Sequence, residues 1–588
     1  MSSLRTILIE DSRLAISDDI SFAVQSNASQ STFQPYPATS VSTSSISFNI
    51  QVPSENIIID REVYIQSDVT TKFELAMLDV DCATESVLAF DYANTDAFQA
   101  YPLNSLFLTS QATINNTSTS ENTQDIMAML LQQYDKRELN RFNSLTPCMQ
   151  DSQFGNYADA LDVNANVLSG GTNQCLDKNY CGRGSFALTN VEVIHTYTDA
   201  EGSVQTDDSF KALVGTTNNA WVAYLTATFT EPFLAMSPFL NVTPDKERAG
   251  LMGVNNMSII LNIDSSCKRF FSTAKSAIGT DGALKPKYIK NISLSTNSGA
   301  CGFTGTKLLM NFLSMTPEQM AKLSSPKNVV PYITYPRYLS TSTANGVLAP
   351  KEVKQLISQS IQLSMIPDKI LIGVRVPMSQ QTIAHSNSFL APQKISVTFN
   401  NSFGLLSTAT QQDLFTKISY VNGSGQSWQE FSGAINVRSE DGSGKSKVVA
   451  GLGGVLVLDP CAQFSLPPYL SASSLGQFQF QFDLTVKNQF DYSVQPEIVI
   501  ITVNSGVFST VSGTSQIFTG MLTKEQVLSA KSSDAKVSSA DLERLVGGKQ
   551  SVFKSRLGAI RGSGISGGGA SGAGMSGGSS RPNLSRLY

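Results

Sequence analysis

The sequence predicts an all-β protein of two tandem jelly-roll β-sandwiches, a double jelly roll, with a few short helices. Three observations predict it: one order of phrases is spelled twice, apolar and polar side chains alternate cleanly, and helical periodicity is scarce. Ser45-Ile46-Ser47-Phe48-Asn49-Ile50-Gln51-Val52-Pro53 is echoed by Gln359-Ser360-Ile361-Gln362-Leu363-Ser364-Met365-Ile366-Pro367. Each copy runs on into an apolar strand, Asn56-Ile57-Ile58-Ile59-Asp60 and Asp368-Lys369-Ile370-Leu371-Ile372. Ala112-Thr113-Ile114-Asn115-Asn116 then answers to Val397-Thr398-Phe399-Asn400-Asn401, followed by Thr123-Gln124-Asp125 and Thr410-Gln411-Gln412-Asp413. Glu231-Pro232 through Ser237-Pro238-Phe239 matches Asp459-Pro460 through Pro467-Pro468-Tyr469, and Thr316-Pro317-Glu318-Gln319 matches Thr523-Lys524-Glu525-Gln526. Four matches in one order read as one fold used twice, because a repeat of this length is a duplicated domain rather than a solenoid unit.

The spacing locates the insertion. Pro53 and Pro367 are 314 apart, Asn115 and Asn400 285, Phe239 and Tyr469 230, and Thr316 and Thr523 207, so the first copy is longer by 107 residues. Of these, 55 fall between Asn115 and Phe239, where the composition turns to Asn, Gly, Asp and Cys and predicts one long surface loop, about 140–211. The division that follows is an N-terminal arm over 1–30, a first jelly roll over 31–325 carrying that loop, a second over 326–526, a short linker or helix over 527–548, and a tail over 549–588. The arm carries Leu4, Ile7 and Ile9 without an alternation that would pair them with a sheet, which suits docking on something else.

Strands come from period-two alternation, which buries one face because successive side chains point to opposite sides. Phe478, Phe480, Phe482, Leu484 and Val486 interleave with Gln479, Gln481, Asp483 and Thr485, and the first-copy partner runs Met257, Ile259, Leu261, Ile263. Ile46, Phe48, Ile50 and Val52 alternate with polar residues, as do Trp221, Ala223, Leu225, Ala227 and Phe229. Helices are short. Thr316-Pro317-Glu318-Gln319 and Thr523-Lys524-Glu525-Gln526 fit capping boxes; Ile126, Met129 and Leu130 form a stripe after a capping Thr123, as Leu414, Phe415 and Ile418 do after Thr410. No βαβ rhythm appears, so jelly rolls are the simplest reading.

Only 15% of the 588 residues are charged and the net charge is −5, a body unsuited to nucleic acid but suited to packing against neighbours. The seven cysteines (Cys82, Cys148, Cys175, Cys181, Cys267, Cys301, Cys461) have no repeating spacing, and Cys175 and Cys181 lack a nearby His, so reduced thiols are preferred to a zinc site. No apolar run near Met1 makes a signal peptide and no window approaches a membrane span, so synthesis in the cell interior is expected.

Enzyme signals are thin, and neither catalytic nor cofactor nor metal residues are assigned. The only histidines, His195 and His385, lie in no nucleophile or metalloprotease motif. Gly442-Ser443-Gly444-Lys445-Ser446 has Ser439 where a phosphate loop needs its first glycine, and reads as a hairpin turn. Asp79, Asp81, Glu85, Asp91 and Asp96 lack calcium-loop spacing and read as a solvated loop face. A carbohydrate-binding or carbohydrate-cleaving jelly roll stays as an alternative, short of stacking platforms because tryptophan occurs only at Trp221 and Trp428.

The tail changes character. Over 549–588 the only charges, Lys549, Lys554, Arg556, Arg561, Arg581 and Arg586, are positive and set in Gly and Ser, so the segment has nothing to offset chain entropy and is expected to be disordered when free, a tether for DNA or a partner. Four windows fit the recognition pattern of adenovirus-type maturation proteases: Leu545-Val546-Gly547-Gly548, Ile560-Arg561-Gly562-Ser563 before Gly564, Ile565-Ser566-Gly567-Gly568 and Met575-Ser576-Gly577-Gly578. Candidate cleavage therefore follows Gly548, Ser563, Gly568 or Gly578, since glycines thread a narrow cleft and disorder gives access. Leu168-Ser169-Gly170-Gly171 repeats the pattern inside the long loop.

Ile366-Pro367-Asp368-Lys369-Ile370-Leu371-Ile372, Thr398-Phe399-Asn400-Asn401-Ser402-Phe403-Gly404-Leu405-Leu406-Ser407, and Asn422-Gly423 leading to Ser427-Trp428-Gln429-Glu430-Phe431-Ser432-Gly433 resemble the double jelly-roll major capsid proteins of Polinton-like viruses and virophages, over roughly 40–525. The resemblance implies a structural, non-enzymatic virion protein without cofactors, three copies of which form a pseudo-hexagonal capsomer tiling the icosahedral shell of a dsDNA virus. It implies neighbouring capsomers, penton and minor capsid proteins as partners, an adenovirus-type cysteine protease and packaged DNA as partners of the tail, and an outward tower or intersubunit clasp for the long loop. A viral surface or receptor-binding protein that forms no lattice is the other alternative, and an electron micrograph separates it.

Overall fold

The computed structural model describes residues 30–54, 57–76, 90, 92, 96–148, 186–208, 216–239, 250–273, 276–314, 327–340, 345–385, 387–438, 446–467, 470–511, 513–519 and 522–523. The four candidate cleavage sites, the six tail cations, the Leu168 window and the Thr316 box lie outside the described residues.

The duplication is visible strand by strand. In the first half, one sheet runs in the order Gln30–Pro37, Phe303–Ser314, Tyr64–Leu75, Thr217–Pro232, with Ile57–Ile59 also paired to Phe303–Ser314. In the second half, Lys327–Thr334, Glu497–Val511, Lys369–Arg375 and Leu456–Leu458 follow the same order. The facing sheets agree as well. Ser45–Gln51, Asn256–Ile263, Phe107–Ile114 and Thr117–Glu121 correspond to Ile361–Met365, Ser474–Lys487, Ala391–Phe399 and Ser402–Leu405. Two like sandwiches result, the double jelly roll expected from alternation and repeat.

Equivalent turns reuse one device. Asn115 and Asn400 both take positive φ, 52° and 51°, where asparagine is among the few tolerated side-chain residues. Each gives its backbone N–H to the strand across the sheet, Asn256 and Gln479 at 2.9 Å, and each side-chain oxygen accepts a backbone N–H, from Asn255 at 2.8 Å and from Gln479 at 2.7 Å. Pro35 and Pro331 sit in the outermost strand of their sheets, where a missing N–H breaks no ladder bond.

Each sandwich closes on its own core. Phe48, Phe73, Phe98, Phe229 and Phe271 are fully buried in the first, with the Phe98 ring 5.4 Å from Phe271 and 5.1 Å from Phe229, both edge-on. Phe399, Phe480, Leu484, Ile498 and Ile500 fill the second. Burial of side chains of this size contributes about 1.5–3 kcal/mol apiece relative to exposure.

Three expectations are corrected. The long first-copy insertion is not one loop: Asn190–Thr198 and Val204–Asp207 are antiparallel strands that extend the sheet beyond Thr217–Pro232, with His195 opposite Trp221. Thr123 is not a cap; the helix Thr123–Gln133 begins at it, Asn122 holds the cap position, and the Thr123 hydroxyl pairs with Ser110 at 2.8 Å. Thr523 lies in the short strand Leu522–Thr523, and the rest of its box, Lys524-Glu525-Gln526, lies outside the described residues. Asp96 is no solvated loop residue but is buried in the strand Asp96–Phe98; its four acidic companions lie outside the described residues. Thr410 does cap as expected, exchanging bonds with Asp413, although its helix continues as a π-helix over Leu414–Ser419.

Candidate functional site

The two sandwiches meet along a third core, and that seam is the most constructed feature outside the sandwiches themselves. The helix Thr123–Gln133 is buried on nearly all sides, as an apolar helix must be when elements flank it on both faces. Its Ile126, Met127, Met129, Leu130 and Leu131 pack with Leu371, Val457, Val499 and Ile501 of the second sandwich. Those partners alternate with Ile370, Ile372, Leu456, Leu458, Ile498 and Ile500, which fill the second core. The second sandwich therefore buries both faces of this sheet, one on itself and one on the first sandwich.

Glycine permits the close approach. A Cβ on Gly373 would stand 2.6 Å from the Met129 methyl and 2.8 Å from Phe389, and one on Gly425 would stand 2.4 Å from the Tyr134 carbonyl oxygen. Gly425 N–H donates to the Gln132 carbonyl at 3.1 Å, and Gln426 pairs with the Gln132 side chain, so the second sandwich satisfies the end of the first one's helix. A second contact lies at the hairpin turn: Ser515 donates its N–H to Asn116 Oδ1 at 2.8 Å, and Thr117 Oγ1 donates to the Ser515 carbonyl at 2.6 Å.

Charge is buried here too. Asp125, in the first turn of the helix, pairs with Arg375 and Arg337, and Arg375 Nε also donates to Glu497 at 3.2 Å. Asp125 and Arg375 are 2% and 3% exposed, so each depends on the other for compensation. Burial holds the Arg375 pKa below its usual value, with Glu497 opposing the shift.

Glu121, buried beside this network, accepts the Tyr335 N–H at 3.4 Å. Burial outweighs that bond and pushes its carboxyl up from 4.5 to about 8. A folded-state pKa above the unfolded one means that the stability it confers is whole below about 4.5, declines as the unfolded chain alone ionises, and is gone above about 8. Glu121→Gln is therefore expected to raise the free energy of unfolding little at pH 5 and by on the order of a few kcal/mol at pH 8. Paired urea titrations at the two pH values check it; an equal gain at both contradicts it.

The remaining sequence candidates are structural. His195 is fully buried, bonded through Nδ1 to Asp207 at 2.8 Å and Nε2 to Asn219 at 2.7 Å, and stacked 4.3 Å from Trp221. His385 accepts the Thr382 N–H, and burial lowers its pKa to about 4. Gly442-Ser443-Gly444-Lys445 lies outside the described residues, but the strands around it, Ala434–Arg438 and Ser446–Ala450, pair as a hairpin. A cleft lined by Gln51, Val52, Asn115, Asn116, Asn255, Asn256 and Gly513 offers amides and no titratable group. Among the described residues, no helix is long and apolar enough to cross a membrane and no three His, Cys, Asp or Glu side chains converge as a metal site. Cys148, Cys267, Cys301 and Cys461 are free thiols.

Comparison with known proteins bears on both halves. Residues 2–313 match the family described as the Sputnik virophage major capsid protein first domain, and residues 335–506 match the major capsid protein V20 C-terminal domain. The putative capsid protein V20 of Sputnik virophage is 26% identical over 573 residues, 95% of this chain and 87% of that protein. The 3.5 Å cryo-EM structure of the Sputnik virophage superposes with a TM-score of 0.66 at 22% identity, covering 92% of this chain and 98% of that one. The crystal structure of the mavirus major capsid protein gives 0.57 at 14% identity, covering 90% and 99%.

Proposed function

Because the chain belongs to the Sputnik virophage major capsid protein family, we propose that it works as a homotrimer, a pseudo-hexagonal capsomer whose six sides come from two like sandwiches in each of three copies. As a major capsid protein it is a component of the virion shell and associates with its own kind there. The observation that carries the trimer is the one-sided seam: a helix of the first sandwich lies on the outer sheet face of the second, a head-to-tail contact rather than a self-complementary one. Repeated between chains, such a contact closes into a ring or runs on as a filament, and a ring of six sandwiches is three chains. Sizing with light scattering tests this, with a trimer expected across micromolar concentrations and a monomer counting against it. Electron microscopy of the expressed protein then separates lattice-forming capsomers from a spike that forms none.

The finer readings follow from the same role. The protein carries no catalytic residues of its own, works by repeated weak contacts with neighbouring capsomers, and meets penton and minor capsid proteins where the lattice bends. We take the sandwiches as 31–325 and 326–526. The tail beyond Gly548 is cut by an adenovirus-type cysteine protease, and its cations Lys549, Lys554, Arg556, Arg561, Arg581 and Arg586 meet packaged DNA before that. Intact mass after co-expression with such a protease is expected to fall to a chain ending at Gly548; a full-length mass in mature particles contradicts the cleavage.

A further inference from the structure

The seam uses two parts of the first sandwich, the helix Thr123–Gln133 and the hairpin turn at Asn115-Asn116, and both have counterparts in the second sandwich that meet nothing comparable among the described residues. The second hairpin turn, at Asn400-Asn401, leads into Phe403, which is 76% exposed. The second helix turns Leu414 and Ile418 into its core with Phe415 packed against it, and its outer side continues into Tyr420 and Val421, 65% and 57% exposed. Trp428 stands 5.5 Å from Phe415 and extends the same apolar surface. The acid at matched positions repeats the contrast: Asp125 is buried under arginines from the other sandwich, whereas Asp413 bonds its own Thr410 and Lys417.

The receiving face is also used once and left open once. In the second sandwich the outer face of the Glu497–Val511 strand buries Val499 and Ile501 against the helix. In the first sandwich the equivalent strand, Phe303–Ser314, turns Leu309 and Leu313 outward and leaves them partly exposed. The register places Phe33 and Pro35 of the edge strand on that same face, opposite Asn311 and Leu309, and Phe33 is 80% exposed. An exposed edge strand bearing a bare aromatic is a pairing liability unless something covers it.

We propose that these two open halves meet between copies: the Phe403, Tyr420, Val421 and Trp428 surface of one chain docks on the outer sheet face around Phe33 of a second copy, repeating the seam between chains. This rests on the trimeric reading above and names its contact surfaces. The occupant is a second copy because the same kind of helix and sheet face is already docked once inside the chain.

Phe33→Asp and Tyr420→Asp alter exposed side chains and test the pairing by light scattering over a dilution series, with thermal midpoints checking the fold. Each is expected to raise the trimer dissociation constant about 30-fold or more. The double variant is expected to cost clearly less than the two combined, because both remove one contact. Should Tyr420→Asp not fold, Phe403→Asp, which belongs to the proposed surface, replaces it. A monomeric wild type overturns the trimer and this pairing together. A trimeric wild type with folded variants that dissociate no more readily overturns the pairing alone, as does full additivity in the double variant.

Discussion

Arg375→Met is expected to cost about 3–5 kcal/mol of folding stability, because removing one member of a buried ionic group leaves the others uncompensated. The guanidinium joins Asp125 on the first sandwich's helix to Glu497 at the start of a second-sandwich strand, and both carboxylates are nearly inaccessible. Arg337 still reaches Asp125, but it sits at the rim, 37% exposed, and touches Glu497 through no hydrogen bond among those described. Glu497 is thus the orphan, and the loss falls on the seam rather than on either core. Urea denaturation of the variant should show a lowered midpoint, with the seam opening first as judged by protease access near Gly425. A cost below about 1 kcal/mol would mean that the pair is neutral here, as many salt bridges are. Replacing Asp125, Arg375 and Glu497 together by apolar residues of similar volume should recover most of the loss, since apolar packing avoids the desolvation that the ions incur.

What the chain discloses before folding depends on range. Strands such as Ser474–Lys487 and Ser45–Gln51 alternate at period two and are legible, as is the order of the two copies, which the structure repeats strand for strand. Asn190–Thr198 also alternates, Val191, Val193 and His195 against Glu192, Ile194 and Thr196, but sits between stretches whose composition reads as loop, and the composition masked it. The helix Trp428–Ser432 carried its signals openly, a Ser427–Glu430 capping box and Gly433 at φ 67°, and local reading could have found it. The seam could not be found that way. Asp125 and Arg375 are 250 residues apart. Thr410 caps because Asp413 stands three residues on and returns to its N–H, whereas Asp125 stands only two after Thr123 and pairs with arginines of the other sandwich. The tail sites and cations, read from composition, lie outside the described residues.

The matched acids Glu231 and Asp459 make the duplication a controlled experiment, and truncating them is expected to have very unequal effects. Asp459 caps the short helix that follows it, its carboxylate accepting the N–H groups of Cys461 and Ala462, at a half-buried surface position. Water can replace such an acceptor, so Asp459→Ala should cost about 1 kcal/mol, the ordinary value of an N-cap. Glu231 holds the same place in its copy but is wholly buried and turned inward. Its oxygens accept the Leu103 and Asn104 N–H groups at 3.0 and 2.9 Å, the Asn104 amide at 2.7 Å and the Thr146 hydroxyl at 2.8 Å. Burial raises its pKa despite these four donors. Glu231→Ala strands all four where no solvent reaches, and at about 1–3 kcal/mol for each unsatisfied buried group, with some relief from relaxation, the loss should exceed about 3 kcal/mol. Glu231→Gln should fall between, since its amide turns one acceptor into a donor facing Asn104. Denaturation midpoints of the three variants decide it. Similar costs for Glu231→Ala and Asp459→Ala would mean that water enters the Leu103–Asn104 turn, and that burial does not set the difference between the two copies.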